Sequence, residues 1–298
     1  MRSRMIGQIM KIPRLARRLL ADRGAMIGGI LVLGLVALAT IGPRAARHDP
    51  TACDIDRGLS AAGAPLPPSG DALLGTDELG RDVWARVIAG AGTSLEIATL
   101  ATALALALGL AIGLCAGYAG GGIDRALMRL VDLVLAFPFL LVAMLLAALL
   151  HGADLAGTIA PIVITLGVIG WTTIARVVRG KAMVIARSEH VAAARALGAS
   201  PARIVWRHVL PNVAGVAIVL GALGFAQNLL AESVLSYLGL GPPPPAASWG
   251  RMLFEGRTYY QTAPWIALAP GIAIVVAVVG FNLLGEGLRD ALAPKDAR

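Results

Sequence analysis

The chain has 298 residues, 57% of them hydrophobic and only 15% charged, with a formal net charge of +8 and a mean hydropathy of +0.75. A soluble globular domain carries about 25% charged residues, so these values exclude an ordinary soluble domain and place long apolar stretches in lipid. A soluble α/β protein with buried strands is excluded too, because the apolar runs reach membrane-spanning length and are rich in Ala, Gly and Leu.

The N-terminal segment 1–24 sets Arg4, Lys11, Arg14, Arg17, Arg18 and Arg23 among apolar residues. That pattern fits an amphipathic helix on the inner membrane surface, and equally a simple topogenic cluster of charge. The first apolar run, 25–41, lacks a signal-peptidase-like ending and reads as an uncleaved anchor rather than a signal peptide. Further spans are expected at 94–117, 131–150, 157–177, 211–231 and 264–285, six in all. Orientation follows from basic charge. With the N-terminus inside, the interior segments 1–24, 118–130, 176–210 and 286–298 hold 19 of the 26 Lys and Arg residues, so both termini are expected in the cytosol. This bias accounts for the net charge without invoking nucleic acid. Cys53 falls outside and Cys115 within the second span, depths that do not suit a disulfide.

The external loop after the first span is rich in Ala, Gly, Pro and Asp and reads as irregular chain. It ends in GTDELGRDVWAR, 75–86, where Thr76 is expected to cap a short helix carrying Asp77, Glu78 and Asp82, interrupted at Gly80. In AGYAGGGIDRALMRLVD, 116–132, glycines permit a tight exit from the second span, and Asp124, Arg125 and Arg129 are close enough to neutralise one another. Asp132 opens an apolar run and is expected to face protein or water. Pro138 is expected to kink the third span. The second external segment, 232–263, has four consecutive prolines at 242–245 and aromatics at Tyr237, Trp249, Tyr259 and Tyr260. Near the C-terminus, Gly285 and Gly287 allow close helix approach.

Between the fourth and fifth spans lies SEHVAAARALGASPARIVWRHVLPN, 188–212. Two short helices are expected here. Ser188 caps the first and Gly198 ends it, while Ser200 and Pro201 start the second. Alanines let a partner approach the backbone closely, and Arg195, Arg203 and Arg207 add charge around that contact. The alternative is an inert amphipathic loop at the headgroups.

These residues resemble the inner-membrane permeases of ATP-binding-cassette importers, in the dipeptide/oligopeptide/nickel branch and of the second-permease type. The likeness runs from the first span to Pro294. Its coupling segment is AAARALGASPARIVWRHVLPN, 192–212, with Gly198 at the central glycine and Pro211–Asn212 at the terminal pair. The family glutamate falls at Ala192, with Glu189 one turn upstream. LGTDELGRD at 74–82, AGYAGGGIDRALMRLVD at 116–132, SYLGLGPPPPAASWG at 236–250 and NLLGEGLRDALAP at 282–294 agree as well, although Ala293 replaces a familiar acid and Gly92 a familiar basic residue.

The resemblance implies an all-α polytopic permease in the bacterial inner membrane, with coupling helices between helices 4 and 5. Its parts would be a cytosolic segment 1–24, a first helix and external loop 25–93, a core 94–285 and a cytosolic tail 286–298. Implied partners are a homologous second permease, two cytosolic ATPases and an external solute-binding protein. ATP and magnesium belong to the ATPases; no phosphate loop, cofactor site or metal site is expected in this chain. The expected ATPase contacts are Glu189, Ala193, Ala194, Arg195, Leu197, Gly198, Ala199, Arg203 and Ile204. The expected external docking residues are Asp77, Arg81, Asp82, Trp249 and Arg251, with folding of the external loops as their alternative role. A membrane scaffold is a further alternative. So is an intramembrane enzyme built on His151, His190, His208 and Asp132, although no motif joins those residues.

Overall fold

The computed structural model describes residues 18–151, 155 and 157–292. Arg4, Lys11, Arg14, Arg17, Ala293 and Pro294 lie outside the described residues. Within the described residues the secondary structure is helical apart from isolated bridges. Helix α1 (Arg23–Ala45) starts where Asp22 accepts a 2.7 Å hydrogen bond from Ala25 N. A single turn, α2 (Ile55–Gly58), follows in the loop after it.

Helix α3 (Val83–Ala119) has 37 residues, a length of about 55 Å. That exceeds the hydrocarbon thickness of about 30 Å, so the helix is longer than one membrane crossing requires. The helix thus begins eleven residues before the expected span boundary at 94. Its cap is Asp82, whose carboxylate accepts from Trp84 N at 2.8 Å. Thr76 does not cap a helix as expected. Its hydroxyl donates to Gly58 O at 2.6 Å and accepts from Leu66 N at 2.7 Å, and residues 77–82 form a turn closed by a Thr76–Asp82 bridge.

The third span is broken. Helix α4 (Gly121–Leu135) and helix α5 (Phe139–His151) meet at 89°. Pro138 explains the break: it supplies no N–H and disfavours helical backbone at Phe137. Helix α6 (Ala160–Ala186) runs nine residues beyond the expected end at 177. After α7 (Glu189–Ala196) and α8 (Pro201–Ile204), a wide π-helical turn at Val205–Val209 leads into α9 (Leu210–Leu235). A second wide turn, Ser236–Leu240, ends that run. The helical run that carries the fifth span therefore starts within the insert, at Pro201, rather than at Pro211. Short α10 (Trp249–Gly256) and long α11 (Trp265–Leu292) complete the chain. Among the described residues, five helices are long and apolar enough to cross a membrane, and the bent α4–α5 pair makes the sixth span if it counts as one.

Small residues hold the bundle together. Gly109, Gly113 and Gly117 recur every four residues on α3 and press against α6. A Cβ at Gly109 would sit 2.6 Å from the Ile174 side chain, and one at Gly113 or Gly117 would sit 2.6 Å from the Ala175 or Arg179 carbonyl oxygen. In lipid, close packing of this kind replaces the hydrophobic drive that holds helices together in water. Gly28 of α1 meets Gly280 and Leu284 of α11, and Gly287 meets Ala25. Gly285 faces Leu223 of α9, so both C-terminal glycines serve close approach.

Charge pairing across helices differs from the expected local scheme. Asp124 binds Arg179 through both carboxylate oxygens, the Oδ2 contact being 2.6 Å, rather than Arg125 or Arg129. Asp132 accepts from Arg176 at 2.8 Å. Both pairs tie α4 to α6.

Candidate coupling and docking sites

The insert is fixed to the bundle by apolar contacts. Val191 of α7, Ile204 of α8 and Val209 join one buried cluster with Leu114, Ile174, Val178, Ala182 and Val213. Val191 and Ile204 are 0% and 1% exposed. The insert is thereby packed directly against α3, α6 and α9, where close-packed side chains leave little room to yield.

Local chemistry shapes the insert. Gly198 has φ of +79°, a left-handed conformation that glycine adopts without penalty, and it ends α7. Ser200 accepts from Arg203 N at 3.4 Å, and Pro201 occupies the first turn of α8. Ser188 sits at the N-cap position but does not cap. Its hydroxyl donates to Ile185 O at 2.6 Å, which ties α7 back to the end of α6.

Most of the expected ATPase contacts share the outer surface. Glu189, Ala193, Arg195, Leu197, Gly198 and Arg203 are exposed, while Ala194 and Ala199 are half-buried. Leu197 is 89% exposed, the barest large apolar side chain described. Glu189, Arg195, Arg203 and Arg207 make no ion pair among the described residues. Ile204 departs from the expectation: it is a wedge in the interior rather than a surface contact, because the α8 turn points it inward. Trp206, 71% exposed, was not among the expected contacts. Its signal was there, since a tryptophan in a basic, Ala-rich insert is costly to leave bare unless something covers it.

At the opposite end of the bundle, the residues expected to dock an external partner form a buried ionic knot with α3 and α10. Arg81 Nε donates to Asp77 Oδ2 at 2.7 Å and Arg81 Nη2 to Glu255 Oε2 at 3.2 Å. Arg86 donates to the same Glu255 oxygen at 2.6 Å, and Arg251 Nε to Glu255 Oε1 at 2.9 Å. Glu255 thus gathers three guanidiniums from the turn, α3 and α10. Sequence reasoning passed over Glu255; the signal was three external arginines needing a shared acid.

Asp82 binds His48 at 2.8 Å, and Trp249 is wholly buried, its indole N–H donating to Val87 O at 3.0 Å. So Asp77, Arg81, Asp82 and Trp249, expected to dock a partner, have their side chains turned inward to hold this end of the bundle together. Only Arg251 stays partly open. Beside it a cavity of about 340 Å³ is lined by Glu78, Leu79, Arg251, Phe254, Arg257 and Tyr259. Burial, then the neighbouring Glu255 and Asp77 charges, push the Glu78 carboxyl above the ordinary carboxylate range.

Of the enzyme alternative, the His151 side chain lies outside what is described, and His190, His208 and Asp132 do not meet in one reactive centre. The His190 and His208 rings lie 6.1 Å apart, and Asp132 is held by Arg176. No group of three metal-ligating side chains occurs among the described residues.

Comparison with known proteins bears on this arrangement. Residues 109–297 match the model of the binding-protein-dependent transport system inner membrane component family. Residues 14–68 match the N-terminal TM domain of oligopeptide transport permease C. The oligopeptide transport system permease protein OppC of Salmonella typhimurium is 41% identical over 282 residues, covering 94% of this chain and 90% of its own. The dipeptide transport system permease protein DppC of Bacillus subtilis is 40% identical over 280 residues, covering 94% and 84%. A solved structure of the MetNI methionine ABC transporter in inward-facing conformations aligns with a TM-score of 0.55 at 18% identity. It covers 70% of this chain and 96% of that one, a likeness of fold.

Proposed function

Since the chain belongs to the binding-protein-dependent transport system inner membrane component family, we propose that this multi-pass permease subunit imports short peptides across the inner membrane. It does so with a homologous second permease, two cytosolic ATPases and an external binding protein. The curated relatives named for oligopeptide and dipeptide transport support the cargo class. ATP and magnesium act in the ATPases; this chain supplies the path and the mechanical link.

The observation that carries the reading is the pairing of a bare Leu197 with buried Val191 and Ile204 on the same insert. One side of the insert is free to seat in an ATPase, and the other is locked into α3, α6 and α9. Glu189, Arg195 and Arg203 are exposed on the same insert and free to pair with charges on that surface; Ala193, Ala194, Gly198 and Ala199 permit close approach. Closure of the ATPases on ATP would drive the insert and, through it, the helices lining the path. This shifts the permease between states only if the ATPase binds one state more tightly.

At the external face, Asp77, Arg81, Asp82 and Trp249 set the shape of the platform. Arg251, Glu78 and Arg257 around the open cavity meet the binding protein. The segment 1–24 and tail 286–298 stay on the cytosolic side, with 94–285 as the transporting core.

Affinity purification in mild detergent, with the second permease and ATPases co-expressed, tests the assembly. Recovery of both, identified by mass spectrometry, supports it. A correctly inserted chain that purifies alone speaks for the scaffold alternative.

A further inference from the structure

Helix α9 is apolar along most of its length, yet it carries Gln227 and Asn228 in the C-terminal half of a continuous helical run. Asn228 is buried and donates to Thr102 Oγ1 at 2.9 Å, which joins α9 to α3. Gln227 is exposed, and its amide has no hydrogen-bond partner among the described residues. A bare carboxamide facing hydrocarbon is unfavourable, since lipid offers no replacement for the water it loses. Intramembrane polar groups accordingly face protein or water.

Gln227 borders a cavity of about 520 Å³ between α3, α6, α9 and the α4–α5 break. Thr173 of α6, also exposed, lines the same cavity, and Phe137 and Phe139 on either side of Pro138 frame it. One turn beyond Thr173 stands the exposed Arg176–Asp132 pair. The outer surfaces of α1, α5 and α11 contrast with this wall: their exposed large side chains include Leu33, Leu145, Leu149, Ile272 and Val275, which suit acyl chains. The chain therefore has a lipid-like side and a side with a polar stripe.

We infer that the stripe side is this chain's wall of the transport path, with Gln227 and Thr173 as contacts for the peptide backbone. The assignment rests on the importer reading above. The polar lining of the cavity is uncharged, made of Thr102, Thr172, Thr173, Gln227 and Asn228. Amides and hydroxyls both donate and accept, which matches the alternating N–H and C=O groups shared by all peptides. Such a wall satisfies the backbone while leaving side-chain choice elsewhere.

The test uses the full complex in proteoliposomes, with Cys53→Ser and Cys115→Ala removing the native thiols. Single Gln227→Cys, Thr173→Cys and Leu145→Cys variants are treated with a charged, water-soluble methanethiosulfonate reagent. Gln227→Cys and Thr173→Cys should react more than about tenfold faster than Leu145→Cys, because the reagent enters water but not hydrocarbon. Trialanine with its binding protein and ATP should slow labelling at the first two positions. Labelling of Gln227→Cys no faster than Leu145→Cys overturns the wall assignment. Fast labelling that trialanine leaves unchanged, in a complex that imports trialanine, overturns the backbone contact. A complex that labels as expected but never imports any peptide instead refutes the cargo reading.

Discussion

Truncating Leu197 to Ala separates coupling from folding. The side chain is 89% exposed, so the folded chain has little to lose, and a surface change of this kind stays within about 0.5 kcal/mol of stability. If the leucine is buried on docking, removing three of its carbons forfeits about 2.4 kcal/mol, at about 0.8 kcal/mol per carbon. That weakens binding about 50-fold, since each 1.4 kcal/mol is a factor of ten. The assay is titration of purified ATPase dimer onto the permease pair in nanodiscs, with a thermal melt on the same samples. The expected result is a large loss of affinity with an unchanged melt. Binding within about twofold of wild type would refute the claim that Leu197 seats in the ATPase. Ile204→Ala is the counterpart. At 1% exposure it lies in the interior, so it should lower the melting temperature through a cavity cost of about 2–5 kcal/mol.

Other consequences follow from the same geometry. Glu255→Ala leaves Arg81, Arg86 and Arg251 without their shared acid, and Arg86 is 1% exposed. Loss of one partner from a buried pair costs about 3–5 kcal/mol, so limited proteolysis should cut the external layer sooner; unchanged cleavage contradicts the knot. Glu78→Gln tests the raised carboxyl. A raised acid is penalised once ionised, so wild type loses stability as pH climbs from the ordinary carboxylate range through the raised value. The advantage of the variant in a thermal melt should therefore be absent in acid and present at neutral pH. A pH-independent difference counts against it. Gly113→Val should block assembly of α3 on α6, since even a Cβ would lie 2.6 Å from the Ala175 carbonyl oxygen. Gly29→Ala, with open space around it, should be tolerated.

Much of this fold is written in local pattern. The apolar runs locate the spans, and Gly198, Ser200 and Pro201 mark the joint between the two insert helices. Pro138 foretells a break, although not its 89° angle, which depends on how α5 packs against α6. What the sequence hides is non-local. Thr76 looks like a cap because Asp77 and Glu78 follow it, but its hydroxyl is taken by Gly58 and Leu66, eighteen and ten residues away. Asp124 has Arg125 and Arg129 nearby and still selects Arg179. Arg81 and Asp82 read as a charged docking surface until Glu255, more than 170 residues later, draws Arg81 inward and His48 engages Asp82. Ile204 shows the same limit on a smaller scale: the helix is legible, and the face it buries is not.

The most direct test of the account is peptide uptake by the reconstituted complex. This chain, its second permease, the two ATPases and the binding protein are placed in proteoliposomes, and labelled trialanine is supplied on the binding-protein side. The account predicts accumulation inside that needs both ATP and the binding protein and is lost in Gly198→Asp, whose side chain would strain the +79° turn. Accumulation that persists without ATP, or that Gly198→Asp leaves intact in a properly inserted complex, would contradict it.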